Sequence, residues 1–151
     1  MAVTLTKAGD LSWALILTGD LTEHAERNMV LVRLGFALAE MGATEDALSV
    51  FSDATAFALA DESDLREMYL DNLAMFMAMS GFTEDVRNQL DALTGQNGRD
   101  FALSAVASYE GKSSDLAPAY ATVDQISSDY IRVVALLDIA VAQYEGQPGQ
   151  P

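Results

Sequence analysis

Helix-breaking residues are almost missing from the interior of this chain. Only three of its 151 residues are proline, and Pro118 alone precedes position 148. Proline removes a backbone donor and clashes with the preceding helical turn, so its scarcity leaves long windows in which a helix can propagate. Within those windows apolar residues recur three and four apart: Val30, Leu31, Leu34, Leu38 and Met41; Ala47, Leu48, Phe51 and Ala54; Leu70, Leu73 and Met77. No alternating β-branched run bounded by a two-residue turn competes with that pattern. An all-α chain is expected, with helices at about 10–18, 22–41, 44–60, 63–80, 84–94, 99–110, 114–127 and 129–145. The tail 146–151 has no apolar residue and is expected to be disordered.

The punctuation between these helices repeats. Gly42-Ala43-Thr44-Glu45-Asp46 and Gly81-Phe82-Thr83-Glu84-Asp85 lie 39 residues apart, and Gly19-Asp20-Leu21-Thr22-Glu23 and Gly111-Lys112-Ser113-Ser114-Asp115 are looser copies. Glycine takes the left-handed conformation just past a helix end. Thr or Ser is then expected to cap the next helix, and the acidic pair to sit in its first turn, where the helix dipole favours negative charge. So short a connection makes neighbouring helices antiparallel, and each copy marks the turn of a helix hairpin. Gly95-Gln96-Asn97-Gly98 is expected to be an interhelix loop, and Pro118 to fall in the first turn of its helix, where a missing N–H costs little.

Measured from the turn glycines, Leu34-Gly35, Leu38, Gly42, Ala47, Phe51 and Ala54 are matched by Leu73-Ala74, Met77, Gly81, Val86, Leu90 and Leu93. Leu103-Ser104, Ala107, Gly111, Leu116 and Tyr120 make a weaker third copy, and Val133, Leu136, Ile139 and Ala140 before Gly146 a final half. Over residues 29–127 this spacing resembles the helix-turn-helix pattern of tetratricopeptide repeats, in which small residues let paired helices approach and large ones fill between them. The turn glycines are 39, 30 and 35 residues apart, against the family's period of about 34, and no copy ends in proline. The resemblance implies antiparallel hairpins stacked in a short right-handed superhelical array of seven or eight helices. A single domain over 1–145 follows, with extra helices capping both ends. A compact bundle whose turns merely share capping chemistry is the alternative.

Charge and composition exclude several functions. Eight Lys and Arg against 23 Asp and Glu give a net charge of −15, and the basic residues are scattered, so no patch forms to read phosphates. There is no cysteine, and His24 is the sole histidine, which removes thiolate chemistry and multi-histidine metal sites. Residues 1–10 lack the basic and apolar regions of a secretory signal, and the apolar-dense stretch 65–79 is broken by Arg66, Glu67, Asp71 and Asn72. A cytoplasmic protein is expected, or a periplasmic one in mature form, without membrane insertion. Acidic pairs at helix starts read as dipole partners before they read as acid–base groups. Asp61-Glu62-Ser63-Asp64 offers oxygen ligands but lacks the glycine and terminal glutamate of a calcium loop. No phosphate loop, serine elbow or paired-histidine helix appears. No catalytic residue, cofactor or metal is expected, and the chain is read as a noncatalytic protein-interaction module.

The apolar surplus points to where a partner would sit. Leu73, Met75, Phe76, Met77 and Met79 make one helix apolar almost all round, as expected for burial on several sides or for an adaptable binding surface. The resemblance implies that the first helix of each hairpin lines a concave face. At the corresponding positions stand Val32, Phe36 and Glu40, then Asp71, Met75 and Met79, then Phe101, Ala105 and Tyr109. Such an acidic-rimmed groove would take a basic or amphipathic peptide or helix; pure core packing would account for the same residues. Trp13, in the short apolar run 11–17, is expected to cap the first hairpin or to anchor an interface. Two further readings are an acidic decoy that mimics nucleic acid and a structural subunit of an oligomer.

Overall fold

The computed structural model describes residues 24–92 and 95–145. The expected helix at 10–18, Trp13, Leu93, the tail 146–151 and the side chain of His24 lie outside the described residues. Those described form seven α-helices and one 3-10 turn, without a strand: α1 (His24–Glu40), α2 (Thr44–Ala60), α3 (Arg66–Met79), α4 (Thr83–Gln89), the 3-10 turn Leu90–Ala92, α5 (Gln96–Glu110), α6 (Ala117–Val123) and α7 (Asp129–Glu145). The chain is all-α, and no described helix is long and apolar enough to cross a membrane. It divides between Phe76 and Met77 into two compact units.

In the first unit α1 and α2 form a hairpin. Its turn ends α1 with a paired hydrogen-bond closure: Gly42 N–H donates to Ala39 O and Ala43 N–H to Leu38 O, both at 3.0 Å. Gly42 has φ 77°, the left-handed conformation expected of it. The cap of α2 differs from expectation. Ala43, not Thr44, occupies the N-cap, and no side chain bonds there. The Ala43 N–H already closes α1, while its carbonyl accepts the first bond of α2 from Ala47 N–H at 2.9 Å. One residue thus ends one helix and begins the next, which places Thr44 inside the first turn with Glu45 and Asp46.

Two contacts fix the antiparallel register. The buried Asn28 donates through Nδ2 to Ala54 O at 3.3 Å. Gly35 lies under the Phe51 ring, where a Cβ would meet ring carbons at 2.7–3.0 Å. Leu34, Leu38, Ala47, Phe51, Ala54 and Ala58 complete a core closed to solvent. The third helix starts at Arg66 rather than at 63 because the preceding turn holds its own backbone: Ser63 N–H donates to Asp61 Oδ1 at 2.7 Å, and Leu65 N–H to Ser63 Oγ at 3.2 Å.

The second unit repeats the turn. Gly81, at φ 90°, donates to Ala78 O, and Phe82 N–H donates to Met77 O while its carbonyl accepts from Val86 N–H. Phe82 is the N-cap of α4, again without a side-chain bond, so Thr83 is not the expected cap. The third turn glycine behaves differently. Gly111 is right-handed, with φ −60°, and its value is room: a Cβ there would meet Ile139 Cγ1 at 2.9 Å and Ile139 Cα at 3.1 Å. Gln143 Nε2 donates to Gly111 O and Ser113 O, binding α7 to the same turn. The core of this unit joins Val86, Leu103, Val106, Ala107, Val123, Ile126, Ile131, Ala135 and Ile139, with α5 packed on both α6 and α7.

Several element ends here depart from the sequence reading; α4 stops at Gln89, before the 3-10 turn, instead of 94, and α6 starts at Ala117 instead of 114. Helix α5 begins at Gln96, so Gln96, Asn97 and Gly98 are its first turn rather than a loop, tied by Gln96 Nε2–H to Asp100 Oδ1 at 3.1 Å. Helix α6 stops at Val123 instead of 127. The backbone N–H groups of Ser127 and Ser128 turn instead to the Asp100 carboxylate at 3.1 and 2.8 Å. Pro118 falls in the first turn of α6, as expected.

Candidate functional site

The expected partner-facing residues fall in different settings. Within the first unit Val32 is buried on α1, Phe36 is half-buried and Glu40 exposed. Asp71 and Met75 are half-buried on α3. Burial, and then repulsion from Glu67, push the Asp71 carboxyl above its ordinary range. Within the second unit Met79, Phe101 and Tyr109 are exposed, and Ala105 is half-buried. The Tyr109 ring covers the Gly81 turn and carries the Lys112 ammonium 4.9 Å from its centroid. On α3 the apolar surplus is divided: Leu73 and Met77 are core, Met75 and Phe76 half-buried, Met79 open.

A cleft of about 140 Å³ lies in the first unit between α1 and α3. Asn28, Met29, Val32 and Arg33 line it from α1, and Met68, Tyr69, Asn72 and Phe76 from α3. Spacings of three and four bring each set to one helix face. Phe36 packs edge-to-face on Phe76 just beyond the lining, with centroids 5.4 Å apart and planes at 73°. Of the expected residues Val32 alone lines the cleft, with Phe36 buttressing it. The carried-over stripe Asp71–Met75 is displaced by one residue from Asn72–Phe76, about 100° around the helix.

Sequence reading missed Arg33, and its setting explains why. A single arginine among scattered charges carries no local signal. In the structure the other cations of described surroundings are mostly engaged: Arg27 lies over the Phe57 ring at 5.2 Å, Arg87 bonds Glu110 at 2.6 Å, and Arg99 and Arg132 pair with Asp91 and Asp129. Arg33 is exposed at the cleft and has no hydrogen-bond or ion-pair partner among the described residues. Apolar walls, two amides and an uncommitted guanidinium can hold one apolar side chain and an adjoining carboxylate.

Two polar clusters of the second unit, around Arg87 and around Asp100, are internally satisfied. Arg87 donates to Glu110 Oε1 and, at 2.9 Å, to Thr122 Oγ1; the Thr122 hydroxyl donates to Glu110 Oε2 at 2.7 Å. Asp100, 1% exposed, accepts from Gln96, the Ser127 hydroxyl and backbone, and the Ser128 backbone. Burial by itself would raise the Asp100 pKa; hydrogen bonds from Ser127, Ser128 and Gln96 outweigh it and hold the carboxyl below its ordinary range. Among the described residues no three His, Cys, Asp or Glu side chains are grouped to hold a metal ion, and Asp61 spends a carboxylate oxygen on its own turn.

Comparison with family models, curated proteins and solved structures finds no match.

Proposed function

We propose that this chain is a noncatalytic protein-interaction module of the tetratricopeptide-like kind, its hairpins stacked as a right-handed array, that takes an amphipathic segment of a partner protein. One observation carries the reading: the α1–α3 cleft joins an apolar lining to an arginine without a partner among the described residues. A cavity of about 150 Å³ accommodates a benzene ring, so this one suits a single large apolar side chain. Arg33 beside it selects a carboxylate on the same segment. The turns at Gly42 and Gly81, each closed by the same pair of backbone bonds, support the repeat reading.

Panning a random peptide library against the chain tests this. Enriched peptides are expected to pair a large apolar residue with an acidic one, to lose at least about tenfold in affinity to Met68→Glu, and to lose their acidic preference against Arg33→Glu. Both positions are exposed, so both variants should fold. Peptides indifferent to both changes would place the binding face elsewhere and overturn the assignment of this cleft.

A further inference from the structure

Helix α7 buries one narrow stripe and exposes another. Ile131, Ala135 and Ile139 face the core of the second unit. On the opposite side Tyr130, Val133, Leu137, Val141 and Tyr144 are each more than half exposed. At 100° per residue these five lie within about 40° of a line through Leu137. Of Val133, Leu136, Ile139 and Ala140, the residues of the expected half-repeat, Ile139 alone is buried.

The order of the exposed stripe is palindromic. From Leu137 it reads Val at four residues in both directions and Tyr at seven in both directions. Two antiparallel copies of α7, related by a twofold axis beside Leu137, therefore match like with like. Leu137 meets Leu137, Val133 meets Val141, and Tyr130 meets Tyr144 at both ends. A twofold interface must be self-complementary in this way; a stripe meant for an unrelated helix has no need of it. The charged groups flanking the stripe are acidic, Asp129, Asp138 and Glu145, with Arg132 already bonded to Asp129 and to Ile126 O. That sign disfavours an anionic membrane surface.

We propose that the chain forms a twofold-symmetric dimer through antiparallel pairing of α7. On the scale of 150–250 Å² for a large buried side chain, the stripe offers about 400–500 Å² per copy. The total, about 800–1,000 Å², is at the small end for protein interfaces. The dimer is accordingly weak and reversible, with a Kd on the order of micromolar or above. Because each copy is strongly acidic, salt should tighten it by screening like charge.

Sedimentation velocity of the whole chain from about 1 μM to about 1 mM spans that affinity range. A monomer–dimer equilibrium that strengthens with added salt is expected, and Leu137→Glu should weaken it at least about tenfold while leaving the helical circular dichroism unchanged. The chain has no cysteine of its own, so oxidative cross-linking reads the direction of pairing. Leu137→Cys should cross-link to itself, Tyr144→Cys alone should not, and a mixture of Tyr130→Cys with Tyr144→Cys should. A monomer at every concentration, or a dimer indifferent to Leu137→Glu, overturns the proposal; efficient self-cross-linking of Tyr144→Cys overturns the antiparallel arrangement.

Discussion

Replacing Asp100 by asparagine exchanges one carboxylate oxygen for an amide nitrogen and leaves the side-chain volume nearly unchanged. The wild-type oxygens accept four bonds: Gln96 Nε2 and Ser127 N on Oδ1 at 3.1 Å each, and Ser127 Oγ and Ser128 N on Oδ2 at 2.7 and 2.8 Å. An amide can satisfy only one side. With its nitrogen at the Oδ1 position it confronts the Ser127 N–H, and at the Oδ2 position the Ser128 N–H. Gln96 can flip and the Ser127 hydroxyl can rotate, but a backbone N–H has no alternative. One backbone bond to a charged acceptor is lost outright, worth about 1.5–3 kcal/mol, and the remaining bonds lose their charge assistance. A net loss of about 3 kcal/mol at neutral pH is expected, read by urea denaturation. The pH dependence has a definite sign. The folded carboxyl titrates below its ordinary value, so its contribution is fully present above the unfolded pKa, about 3.9, and disappears as pH falls through the folded one. Wild type should therefore lose part of its advantage over Asp100→Asn below about pH 4. Amide exchange at Ser127 and Ser128 should accelerate in the variant. A stability change under about 0.5 kcal/mol, the range of ordinary surface substitutions, would refute the accounting.

The two kinds of turn glycine should separate on substitution by alanine. Gly42→Ala has open space around its Cβ and should show only the left-handed backbone penalty of about 1–2 kcal/mol, whereas Gly111→Ala pays no such penalty but meets the Ile139 backbone and should cost about 1–3 kcal/mol by overpacking. Thermal denaturation of Gly42→Asn distinguishes them further, since asparagine should recover part of the loss at position 42 but none at position 111. Asp71 is a carboxylate whose ionised form is disfavoured by burial and by Glu67, so its folded pKa exceeds the unfolded one and its cost is present above the folded value and relieved as pH falls through it. Asp71→Asn should match or slightly exceed wild-type stability at neutral pH, by up to about 0.5 kcal/mol, and should flatten the mildly acidic limb of the stability profile measured by denaturant titration.

What could be read from the sequence divides along the range of the interactions involved. The left-handed glycines at 42 and 81 follow from backbone sterics within a few residues, and the structure has both. Repeat positions such as Leu34, Phe51, Leu73 and Val86 are buried because helical spacing forces them onto one face, while Tyr120 in the weaker copy is exposed. The threonine caps failed for a local reason too: side-chain chemistry pointed to Thr44 and Thr83, but Ala43 and Phe82 were already committed by the closure of the preceding helices. The early end of α6 rests on Asp100, 27 residues from Ser127, a separation no periodicity encodes. The cleft shows the same limit. Its residues stand at helical spacing in the sequence, yet which of two adjacent stripes on α3 faces α1 depends on the rotation of packed helices. On α7 the apolar positions were visible, and the identity of the buried side was not.

Ala43 and Phe82, each the last residue of one closure and the N-cap of the next helix, leave the chain no slack between successive helices. A residue added at either turn could not be absorbed as a longer loop while both bonds persist; it would turn the following helix by about 100° and carry its inward stripe away from the core. Length variation among descendants of this sequence should therefore avoid both turns and collect where neighbouring helices are joined by self-contained side-chain turns, as at Asp61–Leu65 and Ser113–Ala117. In such a chain the turns act as a ruler, and the longer joints are where evolution can change the measure.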